Sequence, residues 1–413
     1  MKTIIFSPAA YNLAETTRAL EIAKACRNLF DILFVSYGGR FENLIEKEGF
    51  RIINLEPKLT PKNIRHIYGV DQGYEFGYYF SIKDVKEQVK NEISLFKKIK
   101  PAAVVTGFNF SNSISCRVEK VPLIWLTQST WMLESYSNAG LAACPDRMDY
   151  PIFRWLPENI LSWIFYKKFI PIFNFLAHPY DVVAKKYGIK PFKSMEKLWE
   201  GDYNLLPEPE EFCGLKLPST YHYIGPLIGR LDSPIPQEIL QMEKNKPIIY
   251  FAMGSSGQPK IIAKIIQSFT GKPFQVISPS KSLLQNMNIE IPSNVILTDW
   301  LPAHKVNPLA DISVIHGGIG TVMTACLAGT PIVGIAMQPE QEANLDCIVR
   351  KGFAIRIKRK RLNPDNLIEA INKLLTDEDA HKKAKEFQKI VQKWNDLTIV
   401  TNFFKKHINN SIC

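Results

Sequence analysis

The stretch Asp311–Gly329 reads DISVIHGGIGTVMTACLAG. Asp311 is followed by Ile312, Ser313, Val314 and Ile315, three of them β-branched and apolar, then His316 and three glycines in four positions, then an apolar helical run. This order predicts a strand, a glycine turn and a helix beginning near Thr321. Glycines at such a turn let a ligand approach the backbone closely, and the helix start offers unpaired N–H groups with the positive end of the dipole. The expected guest is a phosphate or diphosphate. An ordinary strand-to-helix turn uses the same glycines, so the turn must be weighed with what surrounds it.

Working outward, the second half of the chain alternates strand and helix. PIIYFAMGSSG opens it, a helix follows around Lys260 to Phe269, and FQVIS, NVILT, DISVIHGG and PIVGIA read as further strands. Asn363 and Pro364 are placed as cap and first residue of a helix, and Thr376 in TDED has capping-box spacing for the next one. The first half alternates in the same way. KTIIFSP and FDILFVS read as strands, Leu13 to Leu29 as a helix, Gly49 as a helix C-terminus, and AAVVTGF and PLIWLTQ as more strands. Alternation of this kind gives parallel sheets with helices on both faces. The expected fold class is α/β, with two doubly wound Rossmann-like domains facing each other across a cleft. The boundaries expected are 1–225 for the first domain, 226–246 for a proline-rich linker, 247–395 for the second domain, and 396–413 for a C-terminal helix returning to the first. Ligands in open α/β folds bind at the carboxyl ends of the strands, here inside the cleft.

Composition narrows the classes. The 413 residues are 46% hydrophobic and 22% charged, as in ordinary globular domains. Lys and Arg exceed Asp and Glu by 51 − 40 = +11, which suits a polyanion, an anionic membrane or a phosphate-bearing small molecule. The bases are dispersed without a nucleic-acid-binding motif, so no nucleic-acid partner is expected. The seven cysteines form no C-x-x-C pair and read as reduced thiols, which places the protein in the cytoplasm. Tyr150 to His178 is rich in aromatics, but its apolar pieces are too short to span a membrane. Two helices packed over the sheet are the expectation, and a membrane-resting face stays open because Arg154, Lys167 and Lys168 flank the aromatics.

Further motifs stand in order around the glycine turn: TDWLP around Trp300, NPLAD ending at Asp311, HGGIGT from His316, GTP from Gly329 and EQEAN from Glu340. This series resembles the donor-binding signature of the inverting nucleotide-sugar glycosyltransferases with the GT-B fold, the superfamily of UDP-glycosyltransferases and of macrolide and antibiotic glycosyltransferases. HYIGPLIGR and MGSSG extend the resemblance over nearly the whole chain. It implies that the second domain holds a nucleoside-diphosphate sugar and the first an acceptor. By the resemblance, Gly254, Ser255, His316, Gly318, Gly320 and Thr321 would cradle the diphosphate, Trp300 would stack on the base, and Glu340 and Gln341 would bind sugar hydroxyls. Glu stands where Asp is more usual, one methylene longer.

Two positions depart from the family pattern. The loop after the first strand, SPAAYNLAET, carries Asn12 where a general-base histidine is usual, and an amide takes no proton at neutral pH. Glu15, or a carboxylate from YGVDQGYEFG, Asp71 or Glu75, is a candidate for that role; otherwise the acceptor needs little deprotonation. Glu15 reads equally well as a helix-start charge. Thr324 stands where many members have a glutamate that holds both ribose hydroxyls. Members using thymidine-diphosphate sugars often show threonine there, so a dTDP-sugar donor is favoured, with UDP-sugar as the alternative. No metal or other cofactor is expected. The acceptor expected is apolar or aromatic, because YGVDQGYEFGYYF and Trp131 to Tyr150 could line such a pocket. A non-catalytic partner of another glycosyltransferase and a nucleotide-sugar 2-epimerase are the competing readings.

Overall fold

The computed structural model describes residues 1–132, 146, 149–164, 167–168, 170–230, 233–243, 245–254 and 257–409. Two wholly parallel sheets organise them. The first joins β1 (Thr3–Ser7), β2 (Asp31–Ser36), β3 (Arg51–Asn54), β4 (Ala103–Thr106), β5 (Leu123–Leu126), β6 (Tyr203–Leu206) and β7 (Tyr221–Tyr223) in the order β3-β2-β1-β4-β5-β6-β7. The second joins β8 (Ile248–Ala252), β9 (Gln275–Ser278), β10 (Val295–Leu297), β11 (Ile312–Ile315), β12 (Ile332–Gly334) and β13 (Ala354–Arg356) in the order β10-β9-β8-β11-β12-β13.

The central strands β4, β5 and β11 are buried along their whole length. Helices cover both faces of each sheet, which is why these strands are continuous apolar runs rather than alternating ones. Both sheets reverse direction of strand order beside their first strand, β1 next to β4 and β8 next to β11. A crevice opens at the carboxyl ends there. The Leu13–Cys26 helix starts in the first crevice, capped by Asn12, whose side chain accepts from the N–H groups of Ala14 (2.9 Å) and Glu15 (3.3 Å). Such a cap is worth about 1 kcal/mol.

The chain crosses between the sheets twice, near Pro226 and near Asn395, and Arg230 on one crossing donates to the Asn395 side chain on the other at 2.6 Å. Beyond the second crossing, the Thr398–Phe404 helix packs on the Leu13–Cys26 helix. Val400, Phe403, Phe404 and Ile408 complete the core of the first sheet. Lys2 donates to the carbonyls of Ile408 and Asn409, both at 3.0 Å, and ties the two ends of the chain together.

Several expectations need correction. Thr376 ends the Pro364–Thr376 helix, and the next helix is capped by Asp377, whose carboxylate accepts from Ala380 N–H. The residues between Tyr150 and His178 do not form two helices packed over the sheet. They form a Pro151–Trp155 3-10 turn, a Glu158–Ile164 helix and an Ile170–Ala177 3-10 stretch, with many apolar side chains facing outward. Prolines at 151, 157 and 171 interrupt helical hydrogen bonding and explain the fragments. The helix expected from Thr321 begins two residues earlier, at Ile319. Strands β3 and β13 escaped the sequence reading because they are short, half-buried edge strands.

Candidate functional site

β11 ends at Ile315, and the chain turns through His316, Gly317 and Gly318 into the Ile319–Ala328 helix. Gly317 holds φ +90 and sits so close to Leu345 and the Gln341 carbonyl that a side chain would collide. Gly318 caps the helix with no side-chain hydrogen bond. The first-turn N–H groups therefore lack the usual capping partner and point, with the dipole, into the crevice.

His316 is 8% exposed and lies between two glycines. A Cβ built on Gly318 would stand 2.7 Å from its Nε2, and one on Gly254 would stand 2.6 Å from its Cε1. The ring thus reaches across from β11 to the loop after β8 because neither neighbour carries a side chain. Burial lowers its pKa to about 4, opposed by a hydrogen bond to the Ala252 backbone. The imidazole is neutral at pH 7, and donates through one nitrogen only. The Thr321 hydroxyl donates to Gly318 O at 2.8 Å and that of Thr324 to Gly320 O at 2.7 Å. Both threonines thereby turn lone pairs toward the cleft they line. Ser255 lies outside the described residues.

A single cleft of about 810 Å³ runs from this turn to the first domain. Gly254, Trp300, His316, Gly318, Gly320, Thr321, Thr324, Glu340, Gln341, Asn12, Glu15 and Asp71 all line it. Trp300 is 42% exposed and lines the cleft, as do Pro279, Ser280 and Leu301, so part of the indole is accessible to a flat partner. Glu75 does not line the cleft; its carboxylate meets His66 Nδ1 at 2.5 Å.

The start of the Pro339–Arg350 helix meets the first domain. Glu340 accepts from Gln128 Nε2 at 2.7 Å and from Asn344 Nδ2 at 3.2 Å, while Thr130 donates to Asn344 Oδ1 at 2.7 Å. Burial pushes Glu340 up to about 7; the Gln128 hydrogen bond opposes the shift and the charge of Asp71 adds to it. Gln341 is more committed than the sequence suggests. Its oxygen accepts from Met337 N–H at 2.9 Å and its nitrogen donates to Gln338 Oε1 at 2.7 Å.

Asp71 ends the Pro61–Asp71 helix and reaches the same place from the opposite side. Tyr79 donates to Oδ1 at 3.3 Å and the Gln338 amide donates to Oδ2. Burial pushes this carboxyl up to about 6, against both hydrogen bonds. The result is an ionised group at pH 7 with more proton affinity than an ordinary aspartate. Asn12 and Glu15 are differently employed. The oxygen of Asn12 serves the helix cap, and Glu15 is buried in an ion pair with Arg18.

Sequence reasoning missed Gln128, Arg18 and Gln338. Gln128 and Gln338 acquire their places through contacts between distant segments, while Arg18 pairs with Glu15 one turn before it on the same helix; only the position of Gln128 at the carboxyl end of a strand could have signalled it. Around them Phe41, Tyr68, Tyr79, Phe108, Trp131 and Trp199 give the first-domain wall an aromatic surface.

Comparison with known proteins agrees with this geometry. Residues 276–392 match the family model described as Erythromycin biosynthesis protein CIII-like, C-terminal domain. A PGL/p-HBAD biosynthesis glycosyltransferase of Mycobacterium tuberculosis is 23% identical over 311 residues, covering 74% of this chain and 71% of that protein. The chain has the two-domain fold of the GT-B glycosyltransferases, and the relatives it resembles in sequence are named as glycosyltransferases. Two solved glycosyltransferases align with it over almost their full length. The spinosyn forosaminyltransferase SpnP superposes with a TM-score of 0.71 at 12% identity, covering 99% of this chain and 100% of that one. VinC, solved in complex with dTDP, superposes with a TM-score of 0.69 at 14% identity, again covering 99% and 100%. In this chain the family model falls on the glycine turn and the Glu340 helix, and leaves the aromatic wall outside the match.

Proposed function

We propose that the protein transfers a sugar from a nucleoside-diphosphate sugar to a hydrophobic small-molecule or lipid acceptor, with inversion at the anomeric carbon. The observation that carries this reading is the bare helix start at Gly318, wedged against a neutral His316 at one end of a cleft whose other end holds Asp71 and Glu340. A diphosphate seated on the helix start gains charge as the sugar leaves, and N–H groups, the dipole and His316 stabilise that charge in place. The reaction read this way needs no bound metal. Trp300 stacks on the base, and Glu340 accepts from sugar hydroxyls once the sugar displaces Gln128.

Asp71 is the base we favour among the carboxylates. It takes the proton from the acceptor hydroxyl as that oxygen attacks the anomeric carbon, and the nucleoside diphosphate departs on the opposite face. Glu15 is paired with Arg18, and Glu75 lies outside the cleft against His66, whereas burial gives Asp71 the raised proton affinity a base needs. Thr324 favours a dTDP-sugar over a UDP-sugar, and the complex of VinC with dTDP supports that preference. The name of the mycobacterial relative, a PGL/p-HBAD biosynthesis glycosyltransferase, supports a natural-product or glycolipid acceptor.

Incubation with dTDP- and UDP-sugars, with and without phenolic and lipid acceptors, tests the reading. Glycosylated acceptor with equimolar nucleoside diphosphate is the expected product. An isomerised nucleotide sugar formed without acceptor would instead indicate an epimerase, and no turnover with any pair would indicate a non-catalytic partner.

A further inference from the structure

The residues from Tyr150 to Ala177 present an apolar surface that nothing in the described chain covers. Trp155 is 89% exposed and Ile152 74%, and Trp163 and Ile172 are also largely exposed. Phe76, 90% exposed, stacks on Phe175 with ring centroids 5.2 Å apart and extends the patch across the Asp71 loop. Exposed large apolar side chains gathered in one stretch of a folded domain mark a candidate site of interaction.

Charge selects the partner. This stretch contains Arg154, Lys167 and Lys168 against one acid, Glu158, and both lysines are exposed. The basic run Lys358–Arg361 adjoins it, with Lys360 Nζ 3.5 Å from the ring centroid of Tyr150. Asp149 at the edge of the patch is buried and pairs with Arg361 at 2.9 Å and Lys358 at 3.7 Å, which offsets one charge of that run and leaves the patch net positive. Exposed tryptophans and isoleucines beside lysines match a bilayer interface, where apolar side chains enter the acyl boundary and bases meet anionic headgroups. A second copy of the chain would instead set lysine against lysine. It would also cover the cleft, because Lys167, Pro171 and Phe173 from this stretch line its first-domain end. No helix among the described residues is long and apolar enough to cross a membrane, and the breaks at Pro157 and Pro171 suit a face that lies on a bilayer.

We propose that the Tyr150–Ala177 face docks on an anionic lipid bilayer, and that the cleft it borders takes its acceptor from that membrane. The second half rests on the proposed function; the first does not.

Co-sedimentation of the full chain with vesicles of equal parts phosphatidylcholine and phosphatidylglycerol tests it, with phosphatidylcholine vesicles alongside. The expected result is partition into the mixed vesicles, weaker partition into phosphatidylcholine alone, and quenching of tryptophan fluorescence by brominated acyl chains. A Trp155→Ser/Trp163→Ser/Ile172→Ser variant should lose about tenfold or more of the partition coefficient while keeping its circular dichroism and thermal midpoint. Phe76→Ser alone, should the triple variant misfold, should lose a smaller but measurable part. No partition, partition unchanged in variants that fold, or wild-type self-association that the variants abolish would each overturn the docking proposal. These readouts need neither donor nor acceptor, so failure of the glycosyl-transfer reading would leave them interpretable. If docking holds, glycosylation of a lipid acceptor embedded in the mixed vesicles should fall in the triple variant while transfer to a short-chain soluble analogue does not. Equal loss with both acceptors would overturn the membrane-supply half.

Discussion

The two ends of the cleft are built on different principles. At the second-domain end, one contiguous run from Ile312 to Ala328 supplies strand, turn and helix start, and the binding groups are backbone N–H and one wedged histidine. At the first-domain end, Asp71, Gln128 and Arg18 come from three separate segments, and their properties arise from burial and mutual contact. On the proposed function, an anion whose chemistry is constant is met by geometry that a short sequence motif encodes. The acceptor is then met by side chains whose roles are set by the assembled fold.

That difference is most easily broken at Gly318. Gly318→Val places a branched Cβ against His316 Nε2, which already stands 2.7 Å from the ideal Cβ position, so the ring must move and nucleoside diphosphate binding should be abolished in a calorimetric titration. Fluorescence-detected unfolding should show that the fold survives, because the turn lies on the cleft side of the core.

Asp71→Asn should reduce kcat by about 10² to 10⁴ and leave nucleoside diphosphate affinity unchanged. The pH profile sharpens this test. A base must be deprotonated to act, and burial puts Asp71 at about 6. Wild-type activity should therefore fall as pH drops through about 6, and the residual activity of the variant should lack that limb. Retention of the limb would reassign the base, with Glu15 next in line.

Glu340→Ala should lower kcat/KM for the intact donor roughly ten- to a hundredfold, as expected for loss of a buried hydrogen-bonding group, and leave free nucleoside diphosphate binding nearly unchanged. Equal loss of both would place the sugar elsewhere. The smallest effect is expected from Thr324→Glu, which should shift preference from dTDP toward UDP by about three- to tenfold, the worth of one added hydrogen bond to the ribose.

The sequence made the donor end legible because its signals are local. Glycine spacing, the strand before it and the apolar helix after it fall within twenty residues and correspond directly to backbone geometry. Asp71 was legible only as one of several carboxylates. What singles it out is desolvation, together with Gln338 donating from more than two hundred and sixty residues away. Gln341 shows the opposite limit: its match to the family position is clear, yet its amide is engaged by Met337 and Gln338. The stretch from Tyr150 to His178 was misread because aromatic density suggests core, whereas three prolines fragment it and Tyr150, Trp155 and Trp163 stay exposed.

Side-by-side calorimetric titration of the purified protein with dTDP, UDP, GDP and ADP tests the central claim, that the Gly318 helix start is a nucleoside-diphosphate site, most directly. One site per chain with clear preference for dTDP, or failing that UDP, is the predicted result. Absence of binding by all four nucleotides would contradict it.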